Sequence, residues 1–186
     1  MDSSATNPWK ILSQQEVYDN PWIKLTEYQV IHPGGGNGIY GKVHFKNKAL
    51  GIVALDDNKN IWLVGQFRFT TNSYSWEIPE GGGDLSKNPL EEAKRELLEE
   101  TGLIASDWKP ILNMHLSNSV SDEEAIIFLA TGLSQQQSSP EPTEQLIVKK
   151  LPFEEAYQMC LQGEITDSMS VAALLKIKVL MLEEAL

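Results

Sequence analysis

The segment Glu80-Gly81-Gly82-Gly83-Asp84-Leu85-Ser86-Lys87-Asn88-Pro89-Leu90-Glu91-Glu92-Ala93-Lys94-Arg95-Glu96-Leu97-Leu98-Glu99-Glu100-Thr101-Gly102-Leu103 writes both ends of a helix in its own chemistry. Asn88 is a good N-cap, and Pro89 stands at the first helical position, where a missing N–H costs nothing. Glu91 follows the cap at capping-box spacing, and Gly102 is placed to end the helix in a left-handed conformation. The three glycines upstream read as a close-approach loop leading into the helix. Stepping about 100° per residue from Glu92, Glu99, Glu96 and Glu100 fall at about −20°, 40° and 80°. Ala93, Leu97, Leu90 and Leu98 fall at about 100° to 240°, so a carboxylate face borders an apolar one.

A solvated acidic face is the commoner meaning of such a cluster, and composition alone favours it. Against it, Glu92/Glu96 and Glu96/Glu100 are like charges at i, i+4, each costing about 0.2–0.5 kcal/mol in an isolated helix. Carboxylates converging on one patch are what hard divalent cations require, since Mg²⁺ takes oxygen ligands and shares its shell with substrate phosphates.

Outward from the helix, Ile23 to Ile31 and Ile39 to Phe45 flank the turn-forming Pro33-Gly34-Gly35-Gly36-Asn37-Gly38 and read as a β-hairpin. Ala49 to Ala54 and Ile61 to Val64, separated by Asp56-Asp57-Asn58-Lys59-Asn60, read as a second hairpin. Ile111 to Leu116, Ala125 to Leu129 and Leu146 to Leu151 are strand-like, and the polar run Ser134 to Pro142 is a long loop by composition. Phe153 to Leu161 and Ser168 to Leu182 have helical periodicity. A mixed sheet between helices is the most economical layered packing of these elements.

The chain has 186 residues, with 15 Lys+Arg against 26 Asp+Glu and a formal charge of −11. That balance repels a nucleic-acid backbone, whose affinity rests on Lys and Arg neutralising phosphates. It also repels nucleotides unless cations offset it at a site. Cys160 is the single cysteine, which excludes an intramolecular disulfide and fits a reducing compartment. Met1-Asp2-Ser3-Ser4 has no basic stretch followed by an apolar run, so it does not read as a signal peptide. Val171 to Leu182 is too short, and too charged at Lys176 and Lys178, to span a bilayer. The expectation is a cytoplasmic protein with no membrane and no nucleic-acid partner. His32, His44 and His115 are scattered without ligand spacing and receive no role, and Trp22, Trp62, Trp76 and Trp108 are expected in the core or an interface.

The acidic segment resembles the Nudix box, Gly-x5-Glu-x7-Arg-Glu-(apolar)-x-Glu-Glu-x-Gly-(apolar). Gly81 matches its opening glycine, and Arg95-Glu96-Leu97-Leu98-Glu99-Glu100-Thr101-Gly102-Leu103 matches its second half without a gap. One position departs, since the first glutamate of the pattern falls on Lys87. The likeness extends to the ADP-ribose and nucleoside-diphosphate-sugar pyrophosphatase branch. It is carried by Gly65-Gln66-Phe67-Arg68, by Trp76-Glu77-Ile78-Pro79-Glu80-Gly81, by an N-terminal strand region and by Gly163-Glu164-Ile165-Thr166-Asp167-Ser168 before a helix.

This resemblance implies an α/β fold, a Nudix-type α/β/α sandwich with a mixed sheet plus an N-terminal antiparallel β region. It divides the chain into a dimerisation region at 1–45 and a hydrolase domain at 46–186. It implies metal-dependent hydrolysis of a pyrophosphate joining a nucleoside diphosphate to another moiety, with Mg²⁺ as cofactor, Mn²⁺ as the alternative, and a homodimer. Glu96, Glu99 and Glu100 then look like metal ligands, joined by the main-chain carbonyl of Glu80, and Arg95 resembles the arginine that orients them. Arg95 also reads as an ordinary surface ion-pair residue. Glu99, Arg95 and Glu144 are the implied catalytic set, with Glu144 as general base on the loop that also holds Glu141, although a solvated loop glutamate is the plainer reading there. Arg68 resembles an arginine that packs on the nucleotide base, Glu77 a carboxylate beside the metals, and Glu123 a site residue on the turn Ser121-Asp122-Glu123-Glu124. Ser117-Asn118-Ser119 stands where ADP-ribose pyrophosphatases tend to show Ser-Pro-Gly, which shifts the expected substrate toward nucleotide sugars such as GDP-mannose or ADP-glucose. The competing readings are a Nudix-fold module that binds a nucleotide without cleaving it, and a hydrolase of dinucleoside polyphosphates or oxidised nucleotides.

Overall fold

The computed structural model describes residues 6–136 and 145–186. Two compact units are formed. The first takes the chain through Asn47 together with His115–Glu123, and the second takes Lys48–Met114 and Glu124–Leu186.

The first unit is an antiparallel sheet of β1 (Lys10–Asp19), β2 (Ile23–Ile31) and β3 (Asn37–Phe45), in the order β1-β2-β3. The expected hairpin is β2–β3, in register from Ile23↔Phe45 to Ile31↔Asn37. Gly35 turns it at φ +86°, and His32 Nδ1 accepts from the Gly34 N–H at 3.2 Å. Strand β1 has no clean apolar alternation and is exposed along its length; two irregularities, at Ile11/Ser13 and Glu16/Tyr18, break its register with β2. Trp22, expected in the core or an interface, is largely exposed.

The loop after β8 (Leu103–His115) is tied to β3 within this unit. Val43 N–H donates to Val120 O at 2.9 Å, and Tyr40 Oη donates to Ser119 O at 2.6 Å. The Asp122 carboxylate completes the tie, meeting Lys42 Nζ at 2.7 Å, His44 Nδ1 at 2.8 Å and the Phe45 N–H at 3.1 Å. Partial burial opposes its charge, but these partners outweigh that and hold the carboxyl down at about 2. An unfolded aspartate titrates near 3.9, so this anchor stabilises the fold above about pH 4 and is lost as pH falls toward about 2. Thermal melts between pH 5 and pH 2 are expected to decline more steeply for the wild type than for Asp122→Asn. Parallel curves would show that the anchor contributes nothing.

The second unit holds two sheets. One has the order β10-β5-β6, all antiparallel, from β5 (Asn60–Arg68), β6 (Ser73–Glu77) and β10 (Ile147–Pro152). The other is ordered β7-β4-β9-β8, from β4 (Asn47–Ala54), β7 (Glu80–Asp84), β9 (Glu124–Gln135) and β8, with β4 and β9 parallel. The second expected hairpin is therefore not formed. Asp56 does build the turn, its Oδ1 accepting from Asn58 N–H at 3.0 Å and Asn60 N–H at 2.8 Å, but the ladder between its flanks goes no further than an isolated Leu55↔Ile61 bridge among the described residues. The reason is burial. Leu50 through Leu55 are buried, which a central strand covered on both faces satisfies and a two-stranded hairpin cannot.

The glycine run also departs from its expected loop, forming the edge strand β7. Intrinsic preference opposes a strand of three glycines, but packing demands it: a Cβ on Gly83 would lie 2.7 Å from Leu50 Cδ1. Helix α1 (Pro89–Thr101) follows, capped by Asn88 Oδ1 accepting from Leu90 N–H at 2.9 Å, and closed by Gly102 at φ +72°, whose N–H reaches Leu98 O. Glu91 does not close a capping box; it pairs with Lys94 at 2.8 Å. Ala93 and Leu97 of α1 pack with Leu50, Ile52, Ala54, Leu103, Phe128 and Ala130, while Trp62 and Trp108 flank this core. Residues of opposite parity on the same strands, Val53, Ile127 and Leu129, are buried as well, giving the central sheet a covered second face. Helices α2 (Phe153–Leu161) and α3 (Ser168–Leu182) pack on each other, α2 also meeting β10 and β5, and α3 meeting β9. Buried Ser170 accepts the Ile78 N–H on its Oγ at 2.9 Å, fixing the start of α3 to the joint between β6 and β7.

Candidate active site

The chain crosses from one sheet to the other between Glu77, the last residue of β6, and Glu80, the first of β7. Ile78-Pro79 makes the crossing, with the Ile52 N–H donating to Pro79 O at 2.8 Å. Both glutamates thus stand at a junction where backbone, α1 and α3 converge. Glu80 N–H donates to Glu100 Oε2 at 3.0 Å, which brings the start of β7 onto the acidic face of α1. A Cβ on Gly81 would lie 2.5 Å from both Glu96 carboxylate oxygens, so any side chain at this position would force that carboxylate to move.

Along α1, Arg95 gathers the carboxylates. Its Nη1 meets Glu99 Oε2 at 2.5 Å, and its Nη2 meets Glu96 Oε1 at 2.5 Å and Glu92 Oε2 at 3.4 Å. Burial works against the guanidinium's charge, but Glu96, Glu99 and Glu92 hold it more firmly protonated than usual. Lys87, where the box pattern has its first glutamate, reaches Glu92 Oε1 at 3.2 Å, so buried Glu92 lies between two cations.

On the other side of the junction Arg68, the last residue of β5, binds Glu77 through Nε at 3.0 and 3.1 Å and through Nη2 at 2.5 Å. Its Nη2 also meets Glu80 Oε1 at 2.6 Å. Burial opposes this charge too, and Glu77, Glu80 and Asp167 overcome it. The base-stacking role expected of Arg68 is thus joined by an ion-pairing one that occupies the guanidinium edge. At Glu80, burial first, then Asp167 and Glu77, push the carboxyl well above the usual range, with Arg68 pulling the other way.

Of the residues singled out in the sequence, Glu77, Glu80, Arg68, Arg95, Glu96, Glu99 and Glu100 are brought into these contacts. Glu123 belongs to the first unit, where partial burial raises its carboxyl. Glu141 and Glu144 lie outside the described residues. Two participants were missed. Asp167 joins Glu77 and Glu80, their carboxylate oxygens all within 4.8 Å of one another. An aspartate before a helix reads locally as an N-cap, and Asp167 does cap α3, accepting from Ser170 N–H at 2.8 Å. Glu92 was placed on the acidic face with no sign of its pairing to Lys87.

The donors are hard oxygens, and the Glu80 Oε2 atom is buried with no hydrogen-bond partner. That chemistry fits a hard divalent cation and fits no soft metal.

A Nudix fold with a carboxylate-lined helix against a glycine strand is the class these features define. Residues 46–171 match the NUDIX domain model and residues 9–43 match that of the nucleoside diphosphate sugar hydrolase N-terminal domain. The chain belongs to the Nudix family and is a Nudix hydrolase. It is 35% identical over 178 residues to an ADP-ribose pyrophosphatase of Mycobacterium tuberculosis (strain ATCC 25618 / H37Rv), covering 93% of this chain and 84% of that one. It is 29% identical over 179 residues to an ADP-ribose pyrophosphatase of Bacillus subtilis (strain 168), covering 95% of each. A crystal structure of an ADP compounds hydrolase superposes with TM-score 0.85 at 20% identity, over 99% of this chain and 100% of that one, and shares its fold.

Proposed function

We propose that this protein hydrolyses the pyrophosphate of ADP-ribose or a nucleoside-diphosphate sugar, releasing a nucleoside monophosphate and a sugar phosphate. The observation that carries this reading is the meeting of Glu96 and Glu100 with the Glu80-Gly81 backbone, with Glu99 tied to Glu96 through Arg95. The relatives named above support the substrate class.

Glu96, Glu99, Glu100 and the Glu80 carbonyl are the groups that would hold the divalent cation, Mg²⁺ with Mn²⁺ as the alternative. When bound, it neutralises phosphate charge and polarises the pyrophosphate as a Lewis acid. In the reaction a water oxygen forms a bond to one phosphorus while the bridging P–O bond breaks and its oxygen leaves with the departing phosphate. The water's proton goes to a general base, the role assigned to Glu144. Arg95 fixes Glu96 and Glu99 in place, so that they need not reorganise as charge develops. Arg68 keeps part of its guanidinium exposed beside its ion pairs, leaving a planar face for a base, with Glu77 holding its edge and Glu123 reserved for the substrate.

The assembly proposed is a homodimer through the N-terminal sheet, supported by exposed Ile11, Val17, Trp22 and Ile39 and by the match of residues 9–43. A cytoplasmic setting is proposed from the single cysteine, and the −11 charge argues against a nucleic-acid partner. No helix among the described residues is long and apolar enough to cross a membrane.

The test is mass-spectrometric product analysis with Mg²⁺ and ADP-ribose, ADP-glucose, GDP-mannose, UDP-glucose, a diadenosine polyphosphate and oxidised dGTP. A nucleoside monophosphate with a sugar phosphate is the expected product pair. Turnover confined to the last two substrates, or none at all, overturns the reading.

A further inference from the structure

Glu77, Glu80 and Asp167 come from β6, β7 and the turn before α3, three separate parts of the second unit, and none of their side chains belongs to α1. Arg68 faces them from one side only, through Nε and Nη2. Gln66 Nε2 adds a long contact of 3.4 Å to Glu77, and Ser170 N–H donates to Asp167 Oδ2. The Glu80 side chain is nine-tenths buried, and its Oε2 receives no donor from the protein.

The charges do not balance. Three carboxyl groups meet one guanidinium, so with all three ionised two negative charges stand without a partner, an arrangement that burial penalises. Two negative charges are what a divalent cation cancels. The spacing agrees: around a hard cation with ligands at about 2.1 Å, oxygens stand about 3 Å apart when adjacent and about 4.2 Å when opposite. Oxygens already within 4.8 Å of one another need only a small inward shift to reach that shell.

We propose that the carboxylates of Glu77, Glu80 and Asp167 form a divalent-cation site of their own, distinct from the one assigned to Glu96, Glu99 and Glu100. Glu80 serves both, through its carbonyl at one and its side chain at the other. Such a site adds positive charge where an anionic pyrophosphate is to be held, and it explains why a glutamate with an unpartnered oxygen is tolerated at the sheet junction.

The experiment uses the full chain stripped of metal and titrated with Mn²⁺ alone, bound ion being counted by electron paramagnetic resonance and thermal stability followed in parallel. Wild-type protein, Glu80→Gln, Asp167→Asn and Glu99→Gln are compared. Both test variants keep the shape of the site, and asparagine retains the helix cap. Glu80→Gln and Asp167→Asn are each expected to bind one Mn²⁺ fewer per chain, or to bind it at least about tenfold more weakly, a change of about 1.4 kcal/mol. Glu99→Gln is expected to keep that ion. Unchanged Mn²⁺ count and affinity in both Glu80→Gln and Asp167→Asn overturns the proposal. That result leaves the hydrolase reading standing if Glu99→Gln has lost turnover. Absence of turnover by the wild type across the substrate panel overturns the hydrolase reading and leaves this site standing on the Mn²⁺ count.

Discussion

Glu99→Gln is expected to lower turnover of the preferred substrate by about 10²-fold or more while leaving the fold intact. Disturbing a group that merely supports a metal ligand costs about 10–100-fold, so removing the charge of a ligand itself should exceed the upper end of that range. The side chain is partly exposed and pairs with Arg95 at 2.5 Å on the same helix, so the neutral amide removes little that packs. Unchanged circular dichroism and melting temperature, with the loss concentrated in kcat, are the expected signature. Full activity in Glu99→Gln, or a loss matched by unfolding, would remove the basis for assigning Glu99 to catalysis.

The second large effect is on stability. Leu97 is fully buried and packs among Leu50, Ile52, Ala54, Ala93, Leu103, Phe128 and Ala130. Leu97→Ala is expected to cost about 2–5 kcal/mol, the sum of lost burial and the cavity left behind. Against a total stability of about 5–15 kcal/mol, that is a large share. Leu85, half exposed before α1, is the control: Leu85→Ala should fall within about 0.5 kcal/mol of wild type. Urea denaturation of both variants decides the matter, and equal midpoints would show that α1 is not held by this core. Because Arg95, Glu96 and Glu99 sit on the turns that Leu97 pins, partial loosening of α1 is expected to weaken the site before the chain unfolds.

What lay open in the residue order is what local physics controls. Asn88, Pro89 and Gly102 mark the ends of α1 by hydrogen-bond and dihedral requirements that involve only neighbouring residues, and the observed helix runs from Pro89 to Thr101. Phe153–Leu161 and Ser168–Leu182 are likewise helices over the residues whose periodicity announced them. The carboxylates of α1 share a face because the helical period puts them there, and Arg95 meets Glu96 and Glu99 from the same face.

The rest was decided at long range. Nothing local distinguishes a strand that turns back on itself from one that joins a sheet with a partner far along the chain; β4 pairs with β9 because six consecutive buried residues need cover on both faces. The glycines of β7 read as a loop by propensity and became a strand with Leu50 packed against Gly83 and Glu96 against Gly81. Asp167 is 87 residues from Glu80, counting from their positions in the chain, and only the docking of α3 at the sheet junction brings the two carboxylates together. Spacing along a helix fixes angles between neighbours, whereas a site assembled from β5, β6, β7 and α3 exists only once burial of their apolar faces has fixed their packing.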